Sequence, residues 1–170
     1  MTPNAEIRLI SAIHGLRDVI IPAVDPGQSL AVEQSGLILA QLNMLLKHLP
    51  WLGRYQTLCK DDMRSAAQSI AQGAWGGPLT ERAASKLASL LEEAACEDPQ
   101  AEYNRIGFAV EALQHAVAKD GQAEYRTRVD AEMLAFSRRQ VLRERTWFRD
   151  SGFDPHPEEL AEIAALFERP

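Results

Sequence analysis

Residues 79–121, LTERAASKLASLLEEAACEDPQAEYNRIGFAVEALQHAVAKDG, decide the fold class. In the first half, Leu79, Ala83, Ala84, Leu87, Leu90, Leu91 and Ala94 recur at three- and four-residue steps and share one side of a helix. Arg82, Ser85, Ser89 and Glu93 share the other. Asp98 followed by Pro99 marks a new start: a carboxylate to accept the free N–H groups of a first turn, and a ring whose φ already suits that turn. The next helix turns Ile106, Ala109, Val110, Leu113 and Val117 one way and stops at Gly121.

The same periodicity extends outward in both directions. A first helix over about 5–21 aligns Leu9, Ile10, Ile13, Leu16, Ile20 and Ile21, and Pro22 ends or kinks it. Val19, Ile20 and Ile21 are β-branched, but they keep helical phase with Ile13 and Leu16. Asp25-Pro26-Gly27 is a turn, after which Leu30, Leu37, Ile38, Leu42, Leu45 and Leu49 form a second apolar face that Pro50 closes. A third helix, about 52–72, turns Leu52, Tyr55, Cys59, Met63, Ala66, Ala67 and Ile70 inward. The glycine- and proline-rich segment 73–78 then breaks the helical pattern and reads as a mobile loop.

The sixth helix, about 122–149, carries two stripes. Leu134, Val141 and Phe148 lie on one side, and Tyr125, Val129, Phe136 and Trp147 lie nearly opposite. A helix apolar on opposite sides needs cover on both, so a subunit interface through 122–149, and with it a homodimer, is the expectation. The tail, 151–170, reads as a loop and a short helix with Pro157 near its start and Leu160, Ile163, Ala164 and Phe167 on one face. The pattern therefore predicts an all-α, single-domain helical bundle of about six helices plus a short C-terminal helix. Residues 1–150 make the bundle, and 151–170 dock on it or on a partner subunit.

Composition narrows the function classes. The chain has 170 residues, 46% hydrophobic and 25% charged, which suits an ordinary folded domain rather than a disordered one. A net charge of −6 sets up a field that repels phosphate backbones, so a nucleic-acid partner is not expected. The most apolar window, 36–49, is too short and too interrupted to span a bilayer, and Met1 to Arg8 lacks the apolar stretch of an export signal. Two cysteines, Cys59 and Cys96, form neither a framework nor a CxxC pair, which points to a reducing, cytoplasmic setting.

No catalytic signature stands out. The serines and thiols lack a nucleophile-elbow sequence, and the Gly76-Gly77 loop lacks the lysine and hydroxyl that end a phosphate loop. Glu111 and His115 sit one helical turn apart, opposite Leu113, and His156 with Glu159 opens the tail helix, so neither pair predicts a metal. Asp61 and Asp62 diverge by about 100° on a helix and read as surface charges. No cofactor is expected.

The unusual feature is a row in the second helix: Gln34, Gln41 and His48 recur every seven residues at the centre of the leucine-rich face and are predicted to point inward. Arg17 projects into the apolar face of the first helix with His14 at its edge, and Asp130, Arg138 and Arg145 lie on the Leu134 side of the sixth. Arg17, Gln34, Gln41, His48 and Arg138 are thus the candidate binding residues, with arginine to clamp an anion and the amides to orient it. The arginine stripe Arg138, Arg139, Arg143, Arg145 and Arg149 offers planar contacts to an acidic partner or a nucleotide, or else stays solvated or forms salt bridges across subunits. The expected function is a noncatalytic, homodimeric bundle that binds a partner protein or a small polar or anionic ligand. A second reading is a small-metabolite enzyme with Arg17, Gln34, Gln41 and His48 around its site and His48 or His14 as acid or base.

Overall fold

The computed structural model describes residues 4–168. Met1 to Pro3, part of the segment read for an export signal, and Arg169 and Pro170 of the tail lie outside the described residues. Six helices follow one another among the described residues. The first, α1, runs Ala5–Gly15, passes through a π-helical turn at Leu16–Ile20 and ends with Ile21–Ala23. The others are α2 (Ser29–His48), α3 (Leu52–Ala71), α4 (Pro78–Glu92), α5 (Pro99–Asp120) and α6 (Ala123–Trp147). The protein is all-α, and no helix among the described residues is long and apolar enough to cross a membrane.

Local chemistry accounts for the helix starts. Asn4 accepts the Glu6 N–H at 3.0 Å, and Asp98 accepts the Gln100 N–H at 3.0 Å. Pro22 does not end α1. Proline lacks the N–H and crowds the carbonyl four residues back, and the widened π turn directly precedes it. The tail differs from expectation more clearly: in place of a helix it makes single 3-10 turns at Pro157–Glu159 and Ile163–Phe167, separated by extended backbone at Leu160.

Contacts group the chain into two compact units. One holds the residues up to Leu52 together with Phe148–Leu160, and the other holds Gly53–Trp147 with the residues from Ala161 on. The second unit has a continuous interior of Met63, Ala66, Ala67 and Ile70 from α3, Ala84 and Leu87 from α4, Ile106, Val110, Leu113 and Val117 from α5, and Tyr125, Val129 and Phe136 from α6. The Tyr125 hydroxyl, carried into this interior, donates to the Ile70 carbonyl at 2.6 Å. Within the same unit Ile163 is buried, and the Arg54 guanidinium lies 4.6 Å over the Phe167 ring.

The 73–78 segment is clasped rather than loose. Gly77 N–H donates to Asp120 O at 2.8 Å and Gln122 N–H to Trp75 O at 3.0 Å, while the Asp120 carboxylate accepts from Leu79 N, Thr80 N and the Thr80 hydroxyl. These bonds join the start of α4 to the end of α5, and the Arg105–Glu93 ion pair joins the other two ends, so the helices run antiparallel. A Cβ at Gly76 would stand 2.8 Å from Thr80 Cβ and 2.9 Å from Gly121 Cα, so only glycine lets the two backbones approach.

The first unit is built differently. α1 and α2 form a hairpin across the Asp25-Pro26-Gly27 turn, where the Asp25 side chain accepts the Gly27 N–H at 2.9 Å. Of the described residues up to Leu52, only Ile13 and His48 are buried. The hairpin has two helices and almost no interior.

Candidate functional site

The predicted inward row does not hold together. Gln34 and Gln41 are exposed, and His48 alone is buried, edge-on to the Phe148 ring with centroids 6.0 Å apart. The inner face of α2 is instead Leu39, Leu42, Leu46 and Leu49, all half-buried. The leucines cover more than half of the helix circumference, so periodicity alone could not choose which part of that arc faces α1. Arg17 is corrected too: it points outward and binds Asp18, with Nε 2.7 Å from Oδ1. His14 is exposed, and so is Arg138, which has no ion-pair partner among the described residues.

Two polar networks that the pattern did not reveal occupy the second unit. Glu102, in the first turn of α5, is fully buried, and its carboxylate receives Arg64 Nη2 at 2.5 Å, Arg105 Nε at 2.9 Å and the Cys96 N–H at 3.1 Å. The Arg105 bond is the chief reason its carboxyl titrates at about 2, against the opposing effect of burial, with the Cys96 N–H and Arg64 adding to the shift. The network also explains why α4 ends at Glu92 although its apolar pattern runs on to Ala94. Arg64 takes the Leu91 carbonyl at 2.9 Å and Arg105 the Ala94 carbonyl at 3.3 Å, which draws residues 93–97 out of helical register.

The second network joins α3 and α6. Arg143 is buried, donates to Asp62 Oδ2 at 2.8 Å and to Gln140 Oε1 at 2.5 Å, and lies 3.8 Å from the Cys59 thiol. Arg139 reaches the other oxygen of Asp62 at 2.9 Å. Burial raises the Asp62 carboxyl, but the bonds from Arg139 and Arg143 outweigh it and the net direction is down. Asp62 is therefore no surface charge, whereas its neighbour Asp61 is exposed and pairs with Lys60 at 3.0 Å. Part of the arginine stripe is thus internal wiring.

The predicted non-metal pairs remain at the surface. His115 lies 3.7 Å from Glu111, and both are exposed. His156, Glu158 and Glu159 bring ligand atoms within 4.8 Å of one another, all exposed, and His156 N–H donates to Asp154 Oδ1 at 2.9 Å.

Two surface features stand apart from this wiring. Along the outer side of α2, Leu30, Leu37, Ile38 and Leu45 are 69%, 45%, 50% and 58% exposed, with Gln34 and Gln41 between them. Between α4 and α5 runs a groove of about 500 Å³ with an apolar floor and a basic rim. No family model matches this chain. Nor does any curated protein or solved structure. Function is therefore read from these surfaces alone.

Proposed function

We propose that the protein is a noncatalytic, cytoplasmic interaction protein that works as a homodimer, with the α1–α2 hairpin of one copy packed on that of another to make a four-helix bundle. The observation that carries this reading is the hairpin's missing interior. A helix whose leucines cover more than half of its circumference needs cover on more than one side, and a single neighbouring helix cannot supply it. Ile7, Val19 and Ile20 of α1 are exposed as well, so both helices present apolar surface.

A second copy suits this face because the seam is self-complementary. Leu30, Leu37, Ile38 and Leu45 fall at heptad-like spacing with no formal charge among them, and Gln34 and Gln41 recur at the seven-residue interval where a polar residue sets register in paired helices. Covering these four side chains in each of two copies recovers about 6 to 12 kcal/mol, since each is about half exposed at the start. Association costs about 4 to 15 kcal/mol, so these side chains alone leave at most about 8 kcal/mol, a micromolar dimer, and the α1 residues are needed too.

The outer stripe of α6, with Leu134 and Val141 exposed, is the other self-contact surface, but Asp130 and Arg138 interrupt it. The α2 seam is preferred on that ground. Native mass spectrometry and sedimentation of the wild type, Leu37→Glu and Val141→Glu test the choice. The proposal expects a dimer that Leu37→Glu alone converts to monomer. A wild type that stays monomeric at about 100 μM, well above a micromolar Kd, overturns it, and loss of the dimer in Val141→Glu alone moves the interface to α6.

A further inference from the structure

We propose that the groove between α4 and α5 binds an anionic amphiphile: an unbranched apolar chain that ends in a carboxylate or a phosphate. The site draws on α4 and α5 only and stands independently of the hairpin dimer.

The floor is made of small and aliphatic groups. Ala83 on α4 and Ala109, Ala112 and Ala116 on α5 carry side chains too short to fill the space above them, and this leaves about 500 Å³, within the range of small-ligand pockets. Such a volume suits a single chain-like molecule rather than a docked helix. The chain carries more acid than base, 24 carboxylates against 18 lysines and arginines, yet the rim is basic: Arg82 and Lys86 from α4, and His115 and Lys119 from α5.

Arg82, Lys86 and Lys119 have no ion-pair partner among the described residues. The nearby acids are committed or peripheral. Asp120 spends its carboxylate on Leu79 N, Thr80 N and the Thr80 hydroxyl at 2.8, 3.0 and 2.6 Å, and Glu111 lies exposed, 3.7 Å from His115.

The groove also has a direction. Because α4 and α5 are antiparallel, Arg82 and Lys119 sit at the clasped end beside Asp120, and Lys86 with His115 lies one turn farther along. Leu90 and Ala109 close the far end with no charge on the lining. An acidic head among the cations and an apolar tail toward Leu90 satisfy both halves at once, where a short anion would leave the floor wet and a neutral chain would leave the cations unmatched.

Titration calorimetry of the full chain with laurate and with dodecyl phosphate, below their micelle concentrations, tests this, with dodecanol and acetate as controls. Saturable binding of one molecule per chain is expected for one or both anionic probes, and the tighter of the two identifies the head group. Dodecanol should bind about tenfold more weakly and acetate not at all.

Ala112 is exposed, so Ala112→Phe fills the groove without disturbing the core and should abolish binding. Lys86→Glu with Lys119→Glu, both exposed, should weaken laurate about tenfold and leave the circular dichroism unchanged. Failure of both anionic probes to bind overturns the proposal, as does dodecanol binding as tightly as laurate. Retention of binding in Ala112→Phe with loss in Leu37→Glu places the probe on the hairpin and overturns it equally.

Discussion

Glu102→Gln keeps the shape of the side chain and removes its charge, so it isolates what the buried carboxylate does for the second unit. The wild-type oxygens accept from Arg64, Arg105 and the Cys96 N–H. The amide turns one acceptor into a donor that faces a guanidinium. Removing one partner of a buried pair costs about 3 to 5 kcal/mol. The lower end, about 3 kcal/mol, applies because Arg64 and Arg105 remain 22% and 28% exposed and regain water. For a chain of this length that lowers the melting temperature by about 6 to 12 °C.

The pH dependence carries a definite sign. The folded carboxyl titrates at about 2 against an ordinary 4.5, so its contribution is complete above the ordinary value and fades as pH falls toward 2. The gap between wild type and variant, measured by urea unfolding with tryptophan fluorescence, should be widest at neutral pH and close across that window. A gap under about 1 kcal/mol at neutral pH, the size of an ordinary hydrogen bond, refutes the reasoning. So does a gap that persists unchanged at the acid end.

Three further outcomes follow from the same coordinates. Asp62→Ala strands the buried Arg143 and should cost about 3 to 5 kcal/mol in a denaturant titration, while Asp61→Ala at the exposed neighbour stays within about 0.5 kcal/mol. Gly76→Ala drives a methyl group into Thr80 and Gly121 and should cost about 1 to 3 kcal/mol by the same titration, whereas Gly53→Ala, in open space, should cost nothing. Leu37→Glu should lower the mass in solution from dimer to monomer without loss of helical signal from the second unit, as read by native mass spectrometry and circular dichroism.

What the sequence could and could not convey follows from how each helix meets its neighbours. On α5 the apolar groups form one stripe against polar residues, so Ile106, Val110, Leu113 and Val117 were legible as core, and Cys59, Met63, Ala66, Ala67 and Ile70 of α3 likewise. Both stripes of α6 were legible as well, and the one holding Tyr125, Val129, Phe136 and Trp147 is buried. On α2 the leucines spread over more than half of the circumference, so the phase within that arc is ambiguous by nature, and Gln34 and Gln41, at its middle on the pattern, face out. Glu102 escaped for a different reason. An acid in the first turn of a helix ordinarily caps its own N–H groups in water, and its partner Arg64 declares itself only once α3 and α5 are side by side, whereas Arg105 lies three residues on along the same helix. The basic rim was invisible for the same cause, since Arg82 and Lys119 lie on separate helices and become neighbours only in the antiparallel pair.

Two groups stand out among the arginines and lysines of this acidic chain. Arg64, Arg105, Arg139 and Arg143 meet carboxylates inside or at the edge of the second unit, where withdrawal from water makes an unmatched charge costly, and their role is to hold helices together. Arg82, Lys86, Lys119 and Arg138 meet none among the described residues, although acids outnumber bases in the chain. A solvated cation needs no partner, so exposure by itself explains Arg138. It does not explain why three cations line both rims of one apolar groove, where each sits beside surface that water wets poorly and a ligand with an acidic head would cover. The same reasoning, applied to apolar groups, separates Phe108, a lone exposed ring, from the α2 leucines, whose shared face demands a partner.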